Sequence, residues 1–284
     1  MEWWQSAVLG LVEGVTEYLP VSSTGHLILA SWLLGLESPE RREALATFEI
    51  AIQGGAILAV LGLYRARVAQ MLRGLLGRDA EGRRMLLHVA LAFLPAALLG
   101  PVLDDPIEEH LFSAGPVLAA LLLGGVWMIW LDRRRDPHAG GGIEALGPAA
   151  ALGIGLFQCV AMWPGTSRSM MTIAGGVLLG LRASAAAEFS FLLGVPTLGG
   201  ACAFKLAKNL LAAQRGEGQT LFEALGVAPV VIGFAVAAVS AAVAVRWLVA
   251  FLQRHGLAPF GWYRVLLAAT LGALALSGTL RFAP

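Results

Sequence analysis

Charge is scarce in this chain: Asp, Glu, Lys and Arg make up 14% of its 284 residues, where soluble domains carry about a quarter. Apolar residues make up 57% and the mean hydropathy is +0.73. A water-soluble fold is excluded, and an all-α integral membrane protein is indicated. Only two cysteines occur, Cys159 and Cys202. Both lie in apolar runs, where cysteine acts as a small buried residue rather than as half of a disulfide or metal pair. There is no basic tail or low-complexity tract, and the net charge is +1, so nothing points to nucleic acid as a partner. The opening Met1-Glu2-Trp3-Trp4 lacks the cationic region and cleavage site of a signal peptide. It is expected to belong to the mature fold.

What the chain does have is long apolar runs. Crossing a hydrocarbon core of about 30 Å takes about 20 helical residues, and six runs suffice: 44–64, 85–103, 113–131, 186–206, 226–248 and 261–281. Two further apolar regions, 1–36 and 148–181, are broken by Pro20 and by Pro164-Gly165. Each piece is about 15 residues, or about 23 Å as helix, too short to span. Hydroxyl residues that can start a helix follow each break: Ser22 to Thr24, and Thr166 with Ser167. The pattern predicts two re-entrant hairpins, whose tips are tolerated at depth only where they line protein or water.

The halves register on each other. Pro20 falls on Pro164, Ser22 on Thr166, Ser23 on Ser167 and Thr24 on Arg168. One residue of slippage upstream puts Gly10 on Gly155 and Glu13 on Gln158, and the Phe48 segment weakly resembles the Phe189 segment. A single membrane domain, 1–284, thus contains repeats at about 1–131 and 148–284, each a hairpin plus three spans. Three is odd, so the second copy is expected upside down, an inverted-topology repeat. Thirteen basic residues fall on one side, in Arg65 to Arg84, Arg133 to Arg135, Arg182, Arg246, Arg254 and Arg264. Six fall on the other: Arg41, Arg42, Lys205, Lys208, Arg215 and Arg281. The positive-inside rule makes the richer side cytoplasmic. Both termini and the first hairpin's mouth then face outward, and the second hairpin enters from the cytoplasm.

Polar residues in such a sequence mark function. Glu13 and Glu17, four apart, share a helix face. They hold a divalent cation of the Mg²⁺ or Ca²⁺ type, serve in acid/base work, or are neutralised by a proton or Arg168. Ser22, Ser23 and Thr24 sit at a helix start, where a cap, an anion site or a nucleophile would be placed. His26, one turn beyond Ser23, is a candidate base. Arg168 has no flank to belong to; it is a counter-ion to the acids or a bidentate clamp on phosphate. Gly165, Thr166, Ser167 and Ser169 surround it at the second helix start. Two helix N-termini and an arginine converging make an anion pocket, with phosphate or pyrophosphate the natural guest. Glu49 with Gln53, and Glu188 with Ser190, read as supporting or inter-helix hydrogen-bonding groups. The eight tryptophans mostly sit near span ends as interfacial anchors. His88, His110, His138 and His255 lack metal-ligand spacing.

The stretch Glu13-Gly14-Val15-Thr16-Glu17-Tyr18-Leu19-Pro20-Val21-Ser22-Ser23-Thr24-Gly25-His26-Leu27, with Pro164-Gly165-Thr166-Ser167-Arg168-Ser169, resembles the bacterial undecaprenyl-diphosphate phosphatase family linked to bacitracin resistance. The resemblance covers essentially the whole chain, including residues 48–53 and 188–193. Met170-Met171 departs from the smaller residue common in members, without removing a chemical group. The resemblance implies hydrolysis of a polyprenyl diphosphate lipid to the monophosphate carrier of cell-wall assembly. It also implies a divalent cation and a site opening outward from the bacterial inner membrane. In that scheme Arg168 and the helix starts hold the diphosphate, Glu13 and Glu17 hold the metal, Ser23 attacks and His26 is base and then acid. A phosphohistidine on His26 and a metal-activated water remain open as rivals. A homodimer is allowed for. The alternative class is a polyprenyl-phosphate transporter or flippase, because broken helices and inverted repeats are transporter features; a structural scaffold would leave the buried acids and Arg168 unexplained.

Overall fold

A computed structural model describes residues 1–36, 42–215 and 220–278. Arg41, Arg281 and the end of the run 261–281 lie outside the described residues. Within them the chain forms twelve α-helices and no strand. α1 (Trp3–Thr16) and α2 (Ser23–Leu33) form the first hairpin, followed by α3 (Arg42–Leu63) and a short basic helix, α4 (Arg65–Leu75). Two long helices, α5 (Ala80–Leu111) and α6 (Ala114–Arg134), complete the first half. A 3₁₀ turn at Ile143–Ala145 leads to the second hairpin, α7 (Pro148–Val160) and α8 (Arg168–Leu178). Then come α9 (Ala183–Gln214), the short α10 (Leu221–Leu225), α11 (Val227–Leu252) and α12 (Ala258–Leu276).

Six helices are long and apolar enough to cross a membrane: Ala44–Leu63, Ala80–Ile107, Ala114–Arg134, Ala183–Gln214, Val227–Leu252 and Ala258–Leu276. Each coincides with one expected apolar run, so the protein is a multi-pass membrane protein. α5 starts earlier than hydropathy alone indicates because Asp79 caps it, accepting the Gly82 N–H at 2.8 Å. The hairpin helices have 14, 11, 13 and 11 residues, about 16–21 Å long at 1.5 Å per residue. None matches the bilayer core.

The second helices of the two hairpins share a length and a cap geometry. Both second hairpin helices are 11 residues long and follow a serine cap with φ 75°, Ser22 and Ser167. By cap position Ser22 corresponds to Ser167, and Ser23 to Arg168. This is the same offset that relates Gly10 to Gly155 and Glu13 to Gln158. The caps fall one residue away from the expected register, which put Ser23 on Ser167 and Thr24 on Arg168.

The first helix of each hairpin is seated against the opposite half. α1 packs chiefly on α11, and α7 on α5. A Cβ on Gly10 would collide with the backbone oxygen of Gly233, and one on Gly155 with that of Ala92. α6 meets α12 the same way, with Gly125 and Gly261 each facing the other's carbonyl. In lipid there is no hydrophobic gain in bringing helices together, so close backbone approach through small residues has to supply the packing. The exchange joins the halves into one body and brings both hairpin tips to its interior.

Candidate active site

The two tips touch. Ser169 Oγ donates to Leu19 O at 2.8 Å, and Arg168 Nη2 lies 3.3 Å from Glu17 Oε1. Both side chains of the ion pair are over nine-tenths buried, at 9% and 6% exposure. Arg168 Nη1 donates to Ser190 O at 3.0 Å, its Cζ lies 5.7 Å from the Tyr18 ring centroid, and Nε has no partner. Ser190 Oγ bonds Thr172 Oγ1 at 2.6 Å, which ties α9 to α8 behind the arginine. Ser190, expected as a supporting or inter-helix hydrogen-bonding group, makes inter-helix contacts to both Arg168 and Thr172.

The acids lie in one interior. Glu13 is buried at 1% exposure, with Oε1 unpartnered. It is within electrostatic reach of Glu17, Glu49 and Arg168. Lys205 acts on Glu49, so three carboxylates against two cations, Arg168 and Lys205, leave one negative charge in excess, which a proton or a divalent cation would neutralise. Oxygen donors and an orphaned carboxylate suit a hard cation completed by water and phosphate oxygens. Among the described residues no cluster of three or more His, Cys, Asp or Glu is placed to hold a metal ion. Gln53 accepts from Cys202 Sγ at 3.3 Å, an inter-helix contact as expected.

Ser23 Oγ donates to Glu17 Oε2 at 2.9 Å. That pairing differs from the expected Ser23–His26 relay. His26 is held elsewhere: Nδ1 lies 2.7 Å from Ser22 O and Nε2 lies 2.6 Å from the Tyr263 hydroxyl. A carbonyl can only accept, so Nδ1 carries the proton and Nε2 accepts from Tyr263. One turn of helix puts Ser23 and His26 on the same side, but the Ser22 cap turns the ring toward α12. Positive φ at a serine costs about 1–3 kcal/mol, and it occurs at both tips. In the first tip the His26 bond to the cap carbonyl holds that backbone; in the second, Ser167 Oγ accepts from Met170 N at 3.3 Å and pairs with Ser169 Oγ at 3.0 Å.

The other expected residues fall as follows. Ser22 is buried; Ser23 and Thr24 are half-buried in the first turn of α2. Thr166 is buried in the tight turn, where Gly165 has φ 89°. The Gly165 carbonyl is occupied by Arg264 Nη2 at 2.9 Å. Arg264 itself corrects the charge count. The sequence groups it with twelve other flanking basic residues, yet it is fully buried, a second arginine in the interior. Its place one turn inside an apolar run was the available signal. Glu188 lies away from the acids, paired with Arg67 Nε at 3.2 Å.

An apolar groove leads to the first tip. One cavity of about 570 Å³ runs from Leu11 and Val15 past Trp247, Phe251 and Phe260 to His26 and Tyr263. A second, of about 720 Å³, continues along α1 and α11 and shares Leu11, Val15, Leu19 and Trp247. The arrangement can hold an anion at the tips and an apolar chain along α1.

Fold and site together define a multi-pass membrane protein with a buried, charge-dense centre built from two hairpin tips. Residues 6–270 match the family described as bacitracin resistance protein BacA, and the chain belongs to that family. It is 47% identical over 280 residues to an undecaprenyl-diphosphatase of Sorangium cellulosum, covering 97% of this chain and 86% of the relative. It is 42% identical over 274 residues to undecaprenyl-diphosphatase 2 of Rhodospirillum rubrum (96% and 95% covered), and 40% identical over 283 residues to an undecaprenyl-diphosphatase of Acidovorax ebreus (98% and 97% covered).

Proposed function

We infer that this chain is an undecaprenyl-diphosphate phosphatase, releasing inorganic phosphate and the lipid monophosphate used as a carrier in cell-wall synthesis. The observation that carries the reading is the Ser23–Glu17–Arg168 chain, drawn from both tips: a half-buried hydroxyl, the buried carboxylate that accepts its hydrogen bond, and a guanidinium with free donors. A carrier that binds and releases has no need of a hydroxyl bonded to a buried carboxylate, and the transport alternative is not favoured. The groove beside His26 and Tyr263 suits the prenyl tail, with the diphosphate at the tips.

Arg168 orients the terminal phosphate through its unused N–H groups, and the N-termini of α2 and α8 face the same anion. Ser23 Oγ attacks the terminal phosphorus while its proton passes to Glu17 Oε2. The bond from phosphorus to the bridging oxygen breaks and the lipid monophosphate leaves. Water then cleaves the phosphoserine, releasing phosphate and restoring the hydroxyl. His26 takes a supporting part here, because its ring fixes the strained Ser22 cap. Glu13 and Glu17 would hold a divalent cation, which when bound supplies charge neutralisation to the phosphate oxygens. Positioning and electrostatics carry such transfers.

The reading includes topology. With the basic α4 and the Arg133–Arg135 end placed in the cytoplasm, an inverted repeat opens the first hairpin to the outer face of the inner membrane. The test is phosphate release from a polyprenyl diphosphate by purified protein, with and without chelator, beside Glu17→Ala and Arg168→Ala. Metal-dependent release lost in both variants is expected. Folded wild type that binds the lipid and releases nothing would move transport to first place.

A further inference from the structure

Tyr263 and Arg264 are neighbours in the second turn of α12, and between them they reach both hairpin tips. Arg264 is fully buried. It donates Nε to Leu121 O at 3.3 Å, and Nη2 to Ala120 O at 2.8 Å and to Gly165 O at 2.9 Å. No described carboxylate forms an ion pair with it. A guanidinium so placed is costly in a membrane protein, and here it is spent on backbone carbonyls of α6 and of the second tip. Gly124 supplies the room: a Cβ there would lie 2.5 Å from Nη2. Tyr263 faces the other tip. Its ring stacks on His26, with centroids 5.5 Å apart and planes 4° apart, and its hydroxyl meets Nε2 at 2.6 Å.

We propose that Tyr263 and Arg264 are a positioning pair that registers the two tips on each other. Arg264 fixes the Gly165 turn three residues before Arg168, which holds that guanidinium against Glu17. Tyr263 fixes His26, and through it the Ser22 cap beside Ser23. The pair touches neither reacting atom, and its role rests on the phosphatase reading above. The guanidinium fork matters because three carbonyls from two elements must be met at once; an ammonium at that position keeps the charge but not the span.

The experiment uses the full chain in lipid nanodiscs and an uncleavable prenyl methylenediphosphonate as probe, with phosphate release and thermal unfolding measured in parallel. Arg264→Lys is expected to stay folded and to bind the analogue roughly tenfold more weakly, as loss of about one charge-assisted hydrogen bond does. The Arg168→Ala/Arg264→Lys double variant should bind no worse than Arg168→Ala alone. Wild-type affinity in Arg264→Lys, or losses that multiply in the double variant, overturns the Arg264 assignment. If Arg264→Lys does not fold, Gly124→Ala makes the same comparison by displacing the guanidinium head. Tyr263→Phe keeps the stacked ring and should lower kcat at least about fivefold with KM within about twofold, consistent with an effect on positioning; unchanged kcat overturns the Tyr263 half. Wild type that binds the analogue but releases no phosphate defeats the phosphatase reading while the binding comparisons still judge the pair. Wild type that does neither defeats both.

Discussion

Replacing Arg168 by lysine isolates the guanidinium fork from its charge. Of five N–H groups on an arginine, the structure uses one on Ser190 O and one on Glu17 Oε1, and leaves Nε unpartnered. Three donors are thus free for phosphate oxygens while the other two fix the head. A lysine has three donors on one atom, so holding both Ser190 and Glu17 leaves only one for substrate. At least one charge-assisted bond to phosphate is lost, about 1.5–3 kcal/mol, or roughly one to two powers of ten in rate. Arg168→Lys is therefore expected to lower kcat/KM about 10- to 100-fold, and Arg168→Ala about 1000-fold or more because charge and fork go together. Initial rates of phosphate release, at matched metal and lipid and with folded protein confirmed by thermal unfolding, measure both. An Arg168→Lys enzyme within twofold of wild type would refute the argument, because bare charge would then suffice.

Ser23→Ala should reduce phosphate release at least about 1000-fold if the serine attacks, and no phospho-enzyme should be trapped; full activity would leave water or His26 as the attacking group. Gly10→Ala and Gly155→Ala each drive a methyl into a backbone carbonyl and should cost about 1–3 kcal/mol, seen as a lower unfolding temperature. Gly62→Ala, with nothing within 4 Å of the new methyl, should show no such loss. Arg67→Ala removes the contacts to Glu144 at 2.7 Å and Glu188 at 3.2 Å, yet should leave kcat/KM unchanged and cost at most about 1 kcal/mol, since Arg67 and Glu144 are partly exposed. The Glu144 carboxyl is held below its ordinary range by its own backbone N–H and by Arg67. That contribution is therefore present above the ordinary carboxylate pKa and fades as pH falls through the lowered one; an acid melting series in Arg67→Ala should be flatter.

Hydropathy and local chemistry determined much of this protein. Apolar length located the six spans, and Pro20 and Pro164 located the two breaks, because a helix must satisfy its own backbone in lipid and a proline withdraws a donor. The polar residues at those breaks were legible as a site because ionisable groups are expensive there. Glu17 and Arg168 are legible as partners on that ground alone. Tertiary structure decided what required contact across the chain. It directed the Ser23 hydroxyl to Glu17 and His26 to Tyr263, on either side of the strained Ser22 cap. It moved Arg264 from the flank to the interior, where carbonyls of α6 and the Gly165 turn solvate its charge. No pattern within α12 specifies those carbonyls, which belong to residues far away in sequence. The same holds for the seating of α1 and α7 against the opposite half, where Gly10 and Gly155 let backbones approach. Local sequence fixes what a segment can form and what burial will cost; which groups meet that cost is settled only when distant segments pack.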